Sequence, residues 1–209
     1  AVDRIRELMK QQILLVGAYH EMIEVCEEAG FEIVGIIDNK ETDEYYGVSV
    51  IGTDDDAKEL KNQYPDVPVV ISPFMPNARK KLYEMYASLE YTFATVISPK
   101  ATVSRFATIG EGTVIMNGVN VAANTRIGRF VKLNTMCNIM HDNVIGDFVT
   151  VSPNALTLGY VKIEDNAFLG GNCTILPYKK VGSGATVGAA AVVTKDVPPE
   201  EVVKGNPAK

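Results

Sequence analysis

Starting at Ile97 and stepping by six, the chain presents Ile97, Val103, Ile109, Ile115, Val121, Ile127, Leu133, Ile139, Ile145, Val151, Thr157, Ile163, Leu169, Ile175, Val181, Val187 and Val193. Sixteen of these seventeen are Val, Ile or Leu, and Thr157 alone departs. The residue two before each is mostly small, as at Ala101, Ala107, Ala155 and Ala167, with Asn143 and Lys179 as the clear exceptions. Glycine often follows the aliphatic, as at Gly110, Gly128, Gly146 and Gly170. A period of six fits neither the 3.6-residue turn of a helix nor the two-residue alternation of a long strand. It fits a parallel β-solenoid, in which each six-residue unit is one short strand plus a turn and three units close a triangular coil. The aliphatic fills the interior, the small residue lets the chain pass the corner, and glycine permits the turn dihedrals. About five to six coils at strand spacing predict a prism on the order of 25–30 Å long. A set of β-hairpins would need variable loops and alternating polarity, against the fixed step. Cys137 and Cys173 fall on the small inward position two coils apart, roughly 9–10 Å. That is too far for a disulfide, so both read as apolar filler; Cys26 reads as helix core.

The first ninety residues have a different period. Apolar runs at 12–17, 31–38 and 67–72 read as buried strands. Between and after them, 19–30, 53–64 and 76–90 carry helical patterns. Met22, Ile23, Cys26 and Ala29 share one face of the first, Thr53 caps the second, and Pro76 opens the third. Strands alternating with helices of this length predict βαβ units on a parallel sheet. The expected fold class is therefore α/β plus all-β: a small Rossmann-like domain over 9–92, a parallel β-helix over 93–195, and a closing segment over 196–209. Residues 1–8 precede Met9 and read as a cloning remnant or a native extension.

Composition narrows the function. The chain has 209 residues, a net charge of −6 and a pI near 5.0, which argues against nucleic acid and the membrane surface as partners. No apolar run reaches a membrane span and the start lacks the apolar core of a secretory signal, so membrane insertion is not expected. Three cysteines without metal-ligand spacing suit a reduced, cytoplasmic protein with no metal. After the first strand comes "GAYH", Gly17, Ala18, Tyr19 and His20. A glycine loop there grips phosphate through backbone N–H groups at a helix N-terminus. Asp38 and Asn39 end the second strand, and "SPFMPNAR" (72–79) follows the third. No intact dinucleotide fingerprint is present. In the repeat tract, "NIMHD" places a lone histidine, His141, beside Asp142. An imidazole titrates near neutrality and suits a general base; an exposed turn histidine is the alternative reading of position alone.

The repeat tract resembles the hexapeptide-repeat acyltransferases, which build a left-handed β-helix, and "VVTKDVPPEEVVKGNPAK" is similar to their closing segment. With an α/β domain in front, the chain is similar to the sialic-acid O-acetyltransferase and UDP-4-amino-sugar N-acetyltransferase group. The resemblance implies transfer from acetyl-CoA, with His141 as general base and Asp142 orienting it. It implies a homotrimer with acetyl-CoA in the groove between adjacent β-helices, held largely by main-chain groups at positions matching Gly159, Gly171 and Ala189. Thr150 stands where the group has a second histidine near the acetyl oxygen, and Asn134 matches a polar residue facing the acceptor sugar. The group's glycine loop reads GAGGH or GASGH, so this one is a residue short. The resemblance makes Gly17, Ala18, Tyr19, Asp38 and Asn39 the nucleotide-sugar contacts, with Tyr19 either stacking on a base or sugar or closing the pocket. The acceptor implied first is a nucleotide-linked amino sugar. An O-acetyltransferase acting on a sialic-acid-like sugar is the second reading, and a non-catalytic binding or assembly module the third. A zinc hydrolyase on the same β-helix would need three histidine ligands, and this tract supplies one. A sugar nucleotidyltransferase would need a longer N-terminal domain.

Overall fold

A computed structural model describes residues 11–209; the start of the chain, including residues 1–8, lies outside the described residues. β1 (Gln11–Val16) and β2 (Phe31–Ile37) pair in parallel, with α1 (His20–Glu28) crossing between them. Ile13, Leu14, Leu15 and Val16 are all buried, as a strand covered on both faces requires. β5 (Val69–Ile71) pairs in parallel on the other side of β1. α2 (Ala57–Gln63) follows a single 3₁₀ turn whose entry is fixed by Asp56, its carboxylate accepting from both the Thr53 amide and the Thr53 hydroxyl at 2.8 Å. α3 (Pro76–Ser88) begins at the expected proline.

One element goes unannounced in the sequence. β3 (Glu44–Tyr45) and β4 (Val48–Gly52) form an antiparallel hairpin, and β4 joins β2, giving the order β3-β4-β2-β1-β5. The turn is Tyr46–Gly47, with φ of +50° and +82°. Two positive φ values define the two-residue hairpin turn, which is usually signalled by Asn-Gly or Asp-Gly. A tyrosine in the first position hides it.

From Val96 onward the chain winds through two-residue strands in three parallel sheets of six, five and seven strands. Each strand pairs with the one eighteen residues on, as Asn138↔Leu156 and Ile139↔Thr157 do. The six-residue period is thus the side of a triangle. From Ile115 through Val193 the inward positions are buried, whereas Ile97, at the first coil, is 38% exposed because no coil covers it. Cys26, Cys137 and Cys173 are buried free thiols, and burial pushes each up to about 12. Val202–Val203 adds the last strand, pairing with Thr186–Val187.

The two parts are joined by a buried cation. Arg79, on α3, is 2% exposed and faces no carboxylate. Its Nε donates to the Phe130 carbonyl at 3.0 Å, one Nη to those of Pro73 and Phe74, and the other to those of Phe148 and Val149. A guanidinium has five N–H donors in a fixed plane, and all five are used here. Around it Phe130 and Phe148 stack at 5.3 Å, and Tyr83 of α3 packs 4.5 Å from Phe130. Lys132 is buried nearby, donating to the Ser72 carbonyl at 2.8 Å. Burial and the neighbouring Arg79 charge push its ammonium down to about 8.

Replacing Arg79 with Met removes the guanidinium from five carbonyls, of which those of Phe74 and Val149 keep a second donor in the Thr150 hydroxyl and the Lys132 amide, and we expect a stability loss of about 3–5 kcal/mol in urea denaturation. A loss below about 1 kcal/mol would mean water takes over the joint. Lys132 has a pH signature. Below about 8 both folded and unfolded chains carry its charge, and the folded chain bears the cost of burying it. Between about 8 and the ordinary 10.5 the folded chain has lost that proton while the unfolded chain retains it, so stability rises with pH. The stability difference between wild type and Lys132→Met should therefore shift in favour of wild type as pH rises through this window.

Candidate active site

His141 sits on the corner between the six-stranded and five-stranded faces, just after Asn138–Ile139 and before Val144–Ile145. The coil repeat places Ala123, His141, Gly159 and Pro177 at equivalent positions of successive turns, followed by Asn124, Asp142, Tyr160 and Tyr178. These last four all have φ near +60°. That conformation swings the Asp142 carboxylate back to His141, with Oδ2 at 2.9 Å from Nδ1. The His141 hydrogen bond, against a smaller effect of burial and with help from Asn124, holds the Asp142 carboxyl below the usual range. An ionised carboxylate can only accept, so Nδ1 carries a proton, and in the neutral imidazole the lone pair is then on Nε2. The imidazole is about half exposed.

Gly159 makes room for that ring. A Cβ built there would stand 2.7 Å from His141 Cε1 and 2.9 Å from Nε2. Tyr160 meets the imidazole at right angles, centroids 5.4 Å apart, and is itself stacked on Tyr178 at 4.9 Å. A groove of about 640 Å³ opens beside the corner, lined by Asn124, Asp142 and Tyr160 and by Thr108, Arg126 and Val144 of the five-stranded face.

Beneath the corner two of the three irregularities of the repeat meet. Asn143 occupies a small-residue position and Thr157 an aliphatic one, and both are fully buried. Asn143 Nδ2 donates to Thr157 Oγ1 at 2.7 Å, and its Oδ1 accepts from the Val161 amide at 2.6 Å. Each exception satisfies the other, which a residue-by-residue reading of the period could not reveal. The clue was that both break the pattern fourteen residues apart, across one coil.

A second cavity, of about 360 Å³, lies at the carboxyl ends of β1 and β2 where the strand order reverses around β1. Ligands of open α/β sheets bind at such switch points. Gly17, Ala18, Tyr19, Asp38 and Asn39 all line it, together with Glu41, Asp54 and Pro73. Gly17 has φ of +92°, a conformation open to glycine. Tyr19 borders the cavity without closing it. Asp38 shapes the loops: Oδ2 accepts from the Ala18 amide at 2.8 Å, and Oδ1 from those of Lys40 and Glu41. Burial works against its ionisation, and the three amides outweigh it, leaving the carboxyl below its ordinary value. Asn39 and Asp54 bind each other through side chain and backbone, and Tyr86 donates to Asp54 at 2.8 Å.

Two expected contacts are engaged within the fold. Thr150 is fully buried, and its hydroxyl donates to the Phe74 carbonyl at 2.8 Å, at the joint between the two parts. Asn134 is also buried, donating to the Val151 carbonyl at 2.8 Å, and it lines neither cavity. Gly171 and Ala189 stand on successive coils at the corner between the seven-stranded and six-stranded faces, one corner away from His141. Within a single chain they do not meet the imidazole. Among the described residues no group of three or more His, Cys, Asp or Glu is placed to hold a metal ion, and no helix is long and apolar enough to cross a membrane.

Comparison with known proteins gives consistent matches. No family model matches the chain. The acetyltransferase domain of PglB from Neisseria gonorrhoeae FA1090 superposes with a TM-score of 0.88 at 30% identity, covering 96% of this chain and 99% of that one. PerB from Caulobacter crescentus, solved in complex with CoA and GDP-perosamine, gives 0.89 at 27% identity, covering 95% and 96%. The GDP-perosamine N-acetyltransferase of Escherichia coli O157:H7 is 42% identical over 120 residues, 55% of this chain and 54% of that protein. The chain spans about half the length, or less, of the curated relatives it matches.

The buried pair below the corner yields a direct test. Thr157→Val removes the hydroxyl from Asn143 Nδ2, leaving only the Thr157 carbonyl at 3.5 Å, and should destabilise the chain by about 1–3 kcal/mol. A double-mutant cycle with Asn143→Ala should return a coupling of about 0.5–3 kcal/mol; additive losses would show the two side chains to be independent.

Proposed function

Because the chain belongs to the hexapeptide-repeat acyltransferase family, we propose that it transfers an acetyl group from acetyl-CoA to the amino group of a nucleotide-linked amino sugar. The observation that carries this reading is the His141–Asp142 pair, with Nδ1 bound to the carboxylate and Nε2 free on an exposed corner. The names of the relatives favour the amine: one is called a GDP-perosamine N-acetyltransferase, and PerB was solved with GDP-perosamine and CoA.

In the reaction His141 Nε2 accepts a proton from the sugar amine as its nitrogen bonds to the thioester carbonyl carbon. Asp142 stabilises the resulting imidazolium through Nδ1–H. As the carbon–sulfur bond breaks, the same imidazolium returns the proton to the departing thiolate. The cavity bordered by Gly17, Ala18 and Tyr19 supports a role for the N-terminal domain, 9–92, in holding the nucleotide end of the acceptor. The β-helix, 93–195, which we take to be left-handed, supplies the chemistry, and 196–209 closes it.

The active form in this reading is a homotrimer. His141 and Gly159 share one corner, while Gly171 and Ala189 occupy another, so one donor can contact all four only if two copies lie side by side. Acetyl-CoA then runs along the groove between neighbouring coils. Three buried free thiols suit a reducing compartment, and we place the protein in the cytoplasm.

The test is thiol release from acetyl-CoA with GDP- and UDP-linked amino sugars as acceptors, against free sialic acid. His141→Ala should keep the oligomer and donor binding while lowering turnover about a hundredfold or more. Near-wild-type turnover in that variant would remove His141 from the mechanism.

A further inference from the structure

Four consecutive coils place a residue with φ near +60° immediately after the His141 column. Asn and Asp adopt this conformation readily because their short side chains bond locally, whereas bulky residues are strained in it. Asn124 and Asp142 follow the rule; Tyr160 and Tyr178 break it. Other bulky residues break it in two settings: Phe130 and Phe148, at φ of +54° and +60°, are buried beneath α3, while Met136, at φ of +62°, is exposed on another corner. Tyr160 and Tyr178 have no such cover, being 50% and 71% exposed.

What the two rings do touch is each other and His141. Tyr178 lies parallel to Tyr160, 5° between planes and 4.9 Å between centroids, so it fixes the Tyr160 ring. Tyr160 meets the imidazole at 87° and 5.4 Å, an edge-to-face geometry that aromatic pairs favour. The other sides of the imidazole are bounded by Asp142 at Nδ1 and by the Gly159 backbone under Cε1 and Nε2. One hydrogen bond at Nδ1 leaves the ring free to swing about the Asp142 contact. The tyrosine ring removes that freedom.

We infer that Tyr160, backed by Tyr178, is a positioning residue that holds the His141 imidazole in the plane where Nε2 is presented to its substrate. This rests on His141 being the general base. Tyr160 itself touches no reacting atom in this scheme; its ring packs on the imidazole, while its hydroxyl makes a minor contribution to holding the Asp142 carboxyl low, behind those of His141 and Asn124.

The chain has two histidines, His20 and His141, so a proton NMR spectrum of the intact protein resolves the imidazole signals, and His141→Ala assigns them. In wild type the His141 Hε1 signal should be displaced by the Tyr160 ring. Tyr160→Ala should move it toward the free-imidazole position and lower kcat about tenfold or more, with KM for acetyl-CoA unchanged, as loss of alignment rather than of binding requires. Tyr160→Phe keeps the ring and should restore both the shift and kcat to within about twofold. A Tyr160→Ala protein with an unmoved signal or an unmoved kcat overturns the inference, as does failure of Tyr160→Phe to rescue. Full turnover in His141→Ala would instead defeat the general-base reading, and the chemical shifts would still decide whether Tyr160 sets the imidazole.

Discussion

The pairing of each two-residue strand with the strand eighteen residues on is the constraint from which the site follows. Once that register is set, every side chain has a fixed neighbour above and below. Gly159 must underlie His141, and a residue with any Cβ there would collide with the imidazole. Asp142 must take the corner conformation that turns its carboxylate back to Nδ1. Backbone hydrogen bonds between coils, such as Tyr160 N–H to the His141 carbonyl at 3.2 Å, carry the same register through the corner itself. A shift of one residue would disperse all these partners, because alternate residues in a strand face opposite sides.

Most of this was legible in the sequence because the inward series is so regular. The step of six identified the coil, and two of the breaks in the repeat, Asn143 and Thr157, marked the place where the interior turns polar. Their mutual hydrogen bond was not legible, since period alone says which positions are unusual and not which of them touch. Nor was the Tyr46–Gly47 hairpin, whose turn is built from an untypical residue. Arg79 stood within the "SPFMPNAR" loop, yet its role depends on five carbonyls drawn from three separate segments. The contact of Thr150 with Phe74 was hidden for the same reason: the two lie 76 residues apart, and only the folded chain brings α3 down onto the Phe130 and Phe148 corner.

The left-handed corner positions record two ways of accommodating strain. At Phe130 and Phe148 the bulky rings become the packing surface between the two parts of the chain, and burial offsets the backbone conformation. At Tyr160 and Tyr178 the rings remain outside, grouped around the one histidine of the tract. The same backbone site thus carries rings buried between the two parts of the chain on one edge of the prism and rings packed beside a histidine on another.

The saturated guanidinium of Arg79 has a geometric consequence. Its five bonds tie α3 and the loop before it to two successive coils, so the cavity at the ends of β1 and β2 cannot swing relative to the prism without breaking several of them together. A fixed span between the two recesses acts as a gauge. On the proposed function, an acceptor would then be sorted by its reach as well as by its chemical groups, because the waist of the molecule does not bend to suit it.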